Sequence, residues 1–315
     1  MPAPTVLNVG FYNYVLTDKI VAGARYSRKR LDRTIEDVGI LTPLGEQYYI
    51  ANPGYGPTVD ESIWPKGYPQ DVTPKAQRDY DALELRIEKR YSSAGWLNLS
   101  YTWSRLYGNY GGLASSDEAL NTSAAGRTSP NVNRYFDLPW INYDARGNLI
   151  YGRLATDRPH TLKAFYSYDL KSKIGTTRFS PIFQVYSGTP LTTEVDVQDL
   201  NVFSFGRGDL GRTPIFSQTD FVAVHDFPGF REGQKVRFEF NVTNLFNQAT
   251  VISRFTQITH TSDGAITFDN TADIFKGYDV LKQMARQQVR VDPRYGLDYS
   301  YQGPREVRLG FHFIF

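Results

Sequence analysis

The chain contains no cysteine, which removes disulfides, thiolate metal sites and cysteine nucleophiles together. Methionine is scarce, at 2 residues, and the 4 histidines, His160, His225, His260 and His312, stand far apart with no HxH or HExxH spacing. Zinc chemistry therefore has no visible ligand cluster. Neither sign of charge dominates, since 35 Lys+Arg against 33 Asp+Glu leave a formal net charge of +2. Electrostatics thus nominates no nucleic-acid partner. No apolar run reaches the roughly eighteen residues of a membrane-spanning helix. Met1-Pro2-Ala3-Pro4-Thr5 lacks the basic stretch and apolar run of a secretory signal. A transmembrane β-barrel stays open, because its lipid face uses only alternate residues.

Aromatics are abundant instead: Tyr 22, Phe 20 and Trp 4, beside Gly 26 and Pro 17. That profile favours strands and turns. Period two dominates the pattern. Leu83, Leu85 and Ile87 alternate with Glu84, Arg86, Glu88 and Arg90; after Ser92-Ser93-Ala94, Leu97, Leu99, Tyr101 and Trp103 alternate with Asn98, Ser100, Thr102 and Ser104. The pair reads as a hairpin. The pattern recurs at 162–170, at 179–185 with a weakening Pro181, at 219–227 and at 235–242. It ends in Val307, Leu309, Phe311, Phe313 and Phe315. Two fainter strands are expected at 5–14 and 19–28.

These segments make nine expected strands, joined alternately by tight turns (15–18, 92–94, 171–175, 228–233) and long connections (29–78, 108–157, 188–218, 244–304). Compact soluble domains rarely carry four such loops, whereas outer-membrane barrels pair short periplasmic turns with long external loops. The fold class expected is all-β: an antiparallel transmembrane β-barrel fragment of about nine strands. Aromatics near strand ends, Tyr91, Trp96, Trp103 and Tyr107, suit interfacial girdles. Periodicity alone also admits the opposite polarity, a water-soluble barrel or β-sandwich binding module.

Within the long connections, Tyr135, Phe136 and Trp140 are candidates for ligand contact, with packing among loops as the plainer role. Residues 273–288 have helical spacing, capped near Asp273 and stopped before Pro293. His260 to Ala265 reads as a small hairpin centred on Asp263-Gly264. Glu194, Asp196 and Asp199 could offer oxygen ligands to calcium but match no EF-hand. Glu84 and Glu88 interleave with Arg86 and Arg90, which fits a neutralising ladder better than acid and base catalysis. Gly206 to Arg212 lacks the Lys-Ser/Thr of a phosphate loop, and Gly-x-Ser-x-Gly is absent. No catalytic residue, cofactor or metal is nominated, so no enzyme is expected.

The last hundred residues carry a resemblance. Arg237 to Asn247, with its Val242-Thr243-Asn244-Leu245-Phe246-Asn247 element, and the aromatic strand Arg305 to Phe315 resemble the end of TonB-dependent outer-membrane receptors. The similarity is to the Oar-like branch that bears a carboxypeptidase-regulatory domain. Gly152 to His160 and Tyr186-Ser187-Gly188-Thr189-Pro190-Leu191 also fit that branch.

The resemblance implies a barrel of about twenty-two strands plugged by an amino-terminal domain, importing scarce solutes with energy from TonB. It implies that 1–315 forms the carboxy-terminal part, with plug and upstream strands absent. Bacterial outer-membrane lipid, the barrel assembly machinery and the rest of the receptor become expected partners, and TonB only through the missing amino-terminal part. Val307, Leu309, Phe311, Phe313 and Phe315 become the expected assembly signal. A structural or adhesive outer-membrane barrel without energised transport is the alternative within the same fold.

Overall fold

A computed structural model describes residues 5–31, 33–42, 45–60, 62, 64–70, 72–92, 95–112, 135–229 and 234–315. Nine long strands form one sheet: β1 (Thr5–Thr17), β2 (Ile20–Leu31), β3 (Arg78–Ser92), β4 (Gly95–Gly108), β5 (His160–Ser172), β6 (Gly175–Tyr186), β7 (Phe216–Pro228), β8 (Lys235–Thr243) and β9 (Glu306–Ile314). Their spatial order follows chain order, and every neighbouring pair is antiparallel. Among the described residues β1 and β9 do not pair, so the sheet is open. Strand positions and the alternation of short turns with long connections agree with the sequence pattern. The expected turns at Ser93-Ala94 and Phe230 to Gly233 lie outside the described residues.

The register explains why this pattern holds together. A side-chain period of two means that one slipped residue would turn a whole strand inside out. Here apolar meets apolar in every strand pair from β2 to β9. Ile87, Leu99, Ala164, Phe183 and Thr219 form one cross-strand row. Nearer the short turns, Tyr168, Phe179, Ala223, Phe240 and Leu309 form another. On the opposite face, Arg86, Ser100, Lys163, Gln184 and Gln218 form a polar row.

Several charges on that polar face are paired at close range. Arg178 donates two hydrogen bonds to Asp169, at 2.6 and 2.8 Å, and Arg237 two to Asp226, at 2.6 and 2.9 Å. Glu88 is flanked by Arg86 at 2.9 Å and Arg90 at 3.6 Å, the ladder expected from their spacing. Trp96 departs from the girdle expectation. It belongs to the polar face, opposite Ser167, and its indole N–H donates to Glu88 at 3.2 Å. Trp103 and Tyr107 do share the apolar side, while the side chain of Tyr91 lies outside the described residues.

Pro181 leaves a local trace. β6 runs unbroken through it, yet the ladder with β5 passes from Phe165 opposite Ile182 directly to Tyr168 opposite Phe179. The missing donor interrupts one neighbour only, and Phe221 of β7 still pairs with Pro181. A central strand tolerates proline here at the cost of two lapsed pairings.

Most of the buried hydrophobic core lies in the connections. One cluster joins Leu138, Trp140, Val195, Ile258, Ile274 and Met284 with others from the three later connections, and a second joins Val38, Ala76, Tyr110, Tyr135 and Phe136. By contrast the strand face carrying Leu85, Trp103, Leu309 and Phe311 is uncovered, these side chains being 46%, 58%, 64% and 75% exposed. In water, each would forfeit on the order of 1 kcal/mol of burial. A soluble sandwich buries this face first, and here nothing among the described residues lies against it.

Local elements within the connections differ from the sequence expectation in two places. The expected single helix at 273–288 is a 3-10 turn, Thr271–Lys276, and a separate short helix α1, Val280–Arg286. Gly277, at φ +90°, breaks the continuity, and Asn270 and Asp279 each cap one piece by accepting a backbone N–H at 3.1 Å. The expected hairpin at 260–265 is a turn whose flanks pair elsewhere, Thr259 with Val291 and Ile266 with Val197. True hairpins form at Glu36–Thr42 with Gly45–Ala51 and at Val195–Val197 with Leu200–Val202.

Candidate functional site

The loop end of the sheet is where chemistry-bearing side chains gather. At the exit of β8, Asn244 is 1% exposed and adopts φ +52°, a left-handed conformation that asparagine tolerates better than most residues. Its amide donates to the carbonyls of Gln248 and Gly303, both at 2.8 Å, and accepts from the Gln248 N–H at 2.9 Å. Its own N–H donates to Asp220 on β7 at 2.8 Å. Leu245 N–H donates to Thr219 on the same strand. Asn247, also left-handed at φ +52°, accepts from the Arg305 N–H at 2.9 Å. Phe246 is exposed. The Asn244-Leu245-Phe246-Asn247 element thus ties β7, the end of β8 and the approach to β9 into one knot.

A second knot joins the other two recognised segments. Asp157 is 1% exposed and accepts from the Leu106 N–H at 2.7 Å. Arg212 reaches it and also donates to the carbonyls of Asp157, at 3.0 Å, and Gly188, at 2.9 Å. Arg153 adds a contact to the carboxylate at 3.3 Å. Gly188 lies so close to the Thr213 carbonyl that a Cβ would stand 1.7 Å from its oxygen. The resemblance singles out both segments, but the pairing of Arg212 with Asp157 has no local signal in the sequence, because 55 residues separate the partners.

The loop candidates lie inside the packed connections. Tyr135, Phe136 and Trp140 are 7%, 1% and 2% exposed. Tyr110 meets Tyr135 edge-on at 5.5 Å and donates its hydroxyl to Glu36. Burial pushes the Tyr110 hydroxyl above the usual tyrosine range, and desolvation pushes the half-buried Tyr278, packed against the neighbouring cluster, up to about 12. In this arrangement Tyr135, Phe136 and Trp140 hold connections together and present almost no surface to a solute.

Terminal-strand residues Val307, Leu309, Phe311, Phe313 and Phe315 are 53%, 64%, 75%, 57% and 93% exposed. The first four alternate against β8, with Phe311 opposite Phe238 at 5.0 Å between rings. Among the calcium candidates, Glu194 accepts from Thr256 at 2.9 Å and Asn201 at 3.1 Å. Asp199 sits with Gln198 in a two-residue hairpin turn, at φ +62° and +53°. Among the described residues no three His, Asp or Glu side chains converge on a metal position.

One cavity, of about 670 Å³, opens where the polar face meets the connections. Arg158, Lys163, Tyr186, Thr189, Phe216 and Ile252 line it. Thr161, Tyr186 and Phe216 are successive members of one cross-strand row. The Tyr186 ring has the Arg158 guanidinium 5.4 Å and the Lys163 ammonium 5.9 Å from its centroid, and Phe216 stacked at 5.7 Å. Burial holds the Arg158 guanidinium below its ordinary pKa.

Comparison with known proteins bears out the resemblance read from the sequence. The chain is 28% identical over 314 residues, 93% of its length, to the TonB-dependent transporter Oar of Myxococcus xanthus. It spans about a quarter, 26%, of that protein. No family model matches the chain, and no solved structure matches it.

Proposed function

We propose that this chain is a stretch of barrel wall from an outer-membrane, TonB-dependent transporter, its apolar face in lipid and its polar face toward the lumen. Similarity to a transporter known by that dependence motivates the reading. One observation carries it: a continuous apolar face, aligned strand by strand from β2 to β9, is exposed while the core lies in the connections. Lipid is the environment in which such a face costs nothing and in which the paired backbone is obligatory.

The geometry agrees with a bilayer. From Leu162 to Leu170 the apolar positions of β5 span eight steps of about 3.4 Å, roughly 27 Å along the strand. A tilt of about 40° reduces that to roughly 20 Å of height, close to the ~25 Å apolar band of known barrels. Toward the connections the same face turns charged, with Arg30 2.6 Å from Asp79 and Tyr26 donating to Asp81 at 3.0 Å. The long connections are then external and the short turns periplasmic.

The open edges of β1 and β9 expose unpaired backbone groups that lipid does not satisfy. They call for neighbouring strands, which supports reading residues 1–315 as part of a larger wall; its carboxy-terminal position is the reading the resemblance suggests. Outer-membrane lipid, the remaining receptor with its plug, and the barrel assembly machinery reading Val307 to Phe315 are the partners of this reading. TonB is met by other parts of the whole protein, and a scarce solute is the cargo.

The test is expression and folding of the chain with and without detergent, followed by circular dichroism, heat-modifiable gel migration and vesicle partitioning. Detergent-dependent β-structure is expected. A cooperatively folded monomer with full β-content in plain buffer overturns the reading. Uptake by the intact protein, abolished when the proton gradient or TonB is removed, separates transport from a purely structural or adhesive barrel.

A further inference from the structure

The cavity at the loop end of β5, β6 and β7 has an unusual charge state for a polar barrel face. Elsewhere on that face arginines meet carboxylates at hydrogen-bond distance. Among the described residues neither Arg158 nor Lys163 has a carboxylate within ion-pair range, and no Asp or Glu lines the cavity. Arg158 spends one donor on the Ser187 carbonyl at 2.9 Å, and both cations rest near the Tyr186 ring. A ring quadrupole attracts cations without neutralising them. Two like charges therefore stand in one cavity uncompensated, an arrangement that an incoming anion relieves.

The rest of the lining sets the shape of that anion. Phe216, stacked at 26° on Tyr186, and Ile252 supply an apolar wall beside the cations, and Thr189 supplies a hydroxyl. The volume of about 670 Å³ suits a small organic solute. Lipid headgroups are not the source, since Thr161, Lys163, Tyr186 and Phe216 belong to the face opposite the apolar band.

We propose that this cavity is a binding site for a soluble solute that joins a carboxylate or phosphate to a flat apolar ring. The anion lies between Arg158 and Lys163, and the ring lies against Phe216 and Ile252. This inference rests on the barrel reading above, which makes the polar face the aqueous one, and narrows its cargo to anionic aromatics.

Calorimetric titration of the full chain folded in nonionic detergent, with empty micelles subtracted, tests it using 2-naphthoate and the uncharged 2-naphthalenemethanol. Saturable 2-naphthoate binding at least about tenfold tighter than the alcohol is expected, weakening as salt rises. Lys163→Gln should weaken the acid about fivefold or more and leave the alcohol unchanged. Arg158→Gln should do the same, but it also removes a backbone hydrogen bond, so Lys163→Gln is the deciding variant. Equal affinity for acid and alcohol, or an unaltered Lys163→Gln, overturns the site while the barrel stands. Failure to gain β-structure in detergent overturns the barrel reading and the site with it.

Discussion

Asn244 does three things at once: it accepts a left-handed backbone, caps Gln248 and holds Gly303. Asn244→Ala should lower stability in detergent by roughly 2–4 kcal/mol, combining lost hydrogen bonds with left-handed strain. Asn244→Gly keeps the conformation and should cost less. Urea midpoints of the two variants check the order; equal midpoints would mean that the hydrogen bonds alone matter. Arg212 is the corresponding long-range link. Arg212→Met leaves the Asp157 carboxylate buried with only Arg153 and the Leu106 N–H beside it, which should cost about 3 kcal/mol. Arg212→Lys should recover only part, since an ammonium cannot span the carboxylate and the Gly188 carbonyl together. An unchanged urea midpoint in Arg212→Met would remove this link from the account. Neither role was legible in advance. Asn244 stood out as part of a recognisable element, yet the reason, a knot across three strands, needs the fold.

At the scale of elements, the strands were the legible part, because period two and aligned register are both consequences of having one apolar face. Matched substitutions on β4 test that account directly. Leu99→Glu puts a carboxylate in the apolar row and should cost about 1–3 kcal/mol on folding into vesicles. Ser100→Glu makes the same charge change one residue later, in the row with Arg86 and Lys163, and should cost little. Equal costs would mean that both faces meet the same medium.

The connections were less legible, since their order comes from tertiary contacts rather than periodicity. Asp263 shows this: Arg290, 27 residues away, donates to it from both side chain and backbone N–H, and this holds its carboxyl well below the usual range. Asp292, bonded by Arg294, is also lowered. A depressed folded pKa gives stability that is present above the unfolded value, about 3.9, and lost as pH falls through the lower folded value. Amide exchange at Arg290 and Arg294, corrected for intrinsic rates, should therefore keep its protection from pH 7 to about 4 and lose it only in stronger acid. Loss by pH 5 would contradict this assignment.

For the whole molecule, two descriptions fit the same alternation, a water-soluble sandwich and a membrane wall, and composition could not choose between them. Where burial occurs favours the wall. The buried clusters run through Trp140, Phe136, Ile274 and Met284 in the connections, while Leu85, Trp103 and Phe311 stay uncovered on the sheet. Solute recognition was the least legible part: the aromatics singled out by composition, Tyr135, Phe136 and Trp140, are packed away, and the open cavity is lined from three strands and their flanks. Lys163 and Tyr186 look ordinary in sequence, and only strand pairing brings them together.

The absence of native cysteine makes the central claim directly measurable. Single cysteines placed in turn at positions 83–90 of β3 and 97–104 of β4, spin-labelled in lipid vesicles, report collision with oxygen dissolved in lipid and with a water-soluble nickel chelate. The account predicts strict alternation: odd positions, those of Leu83, Leu85, Ile87, Lys89, Leu97, Leu99, Tyr101 and Trp103, reached by oxygen and shielded from nickel, with even positions the reverse. Nickel access at both parities, or no period of two, would contradict it.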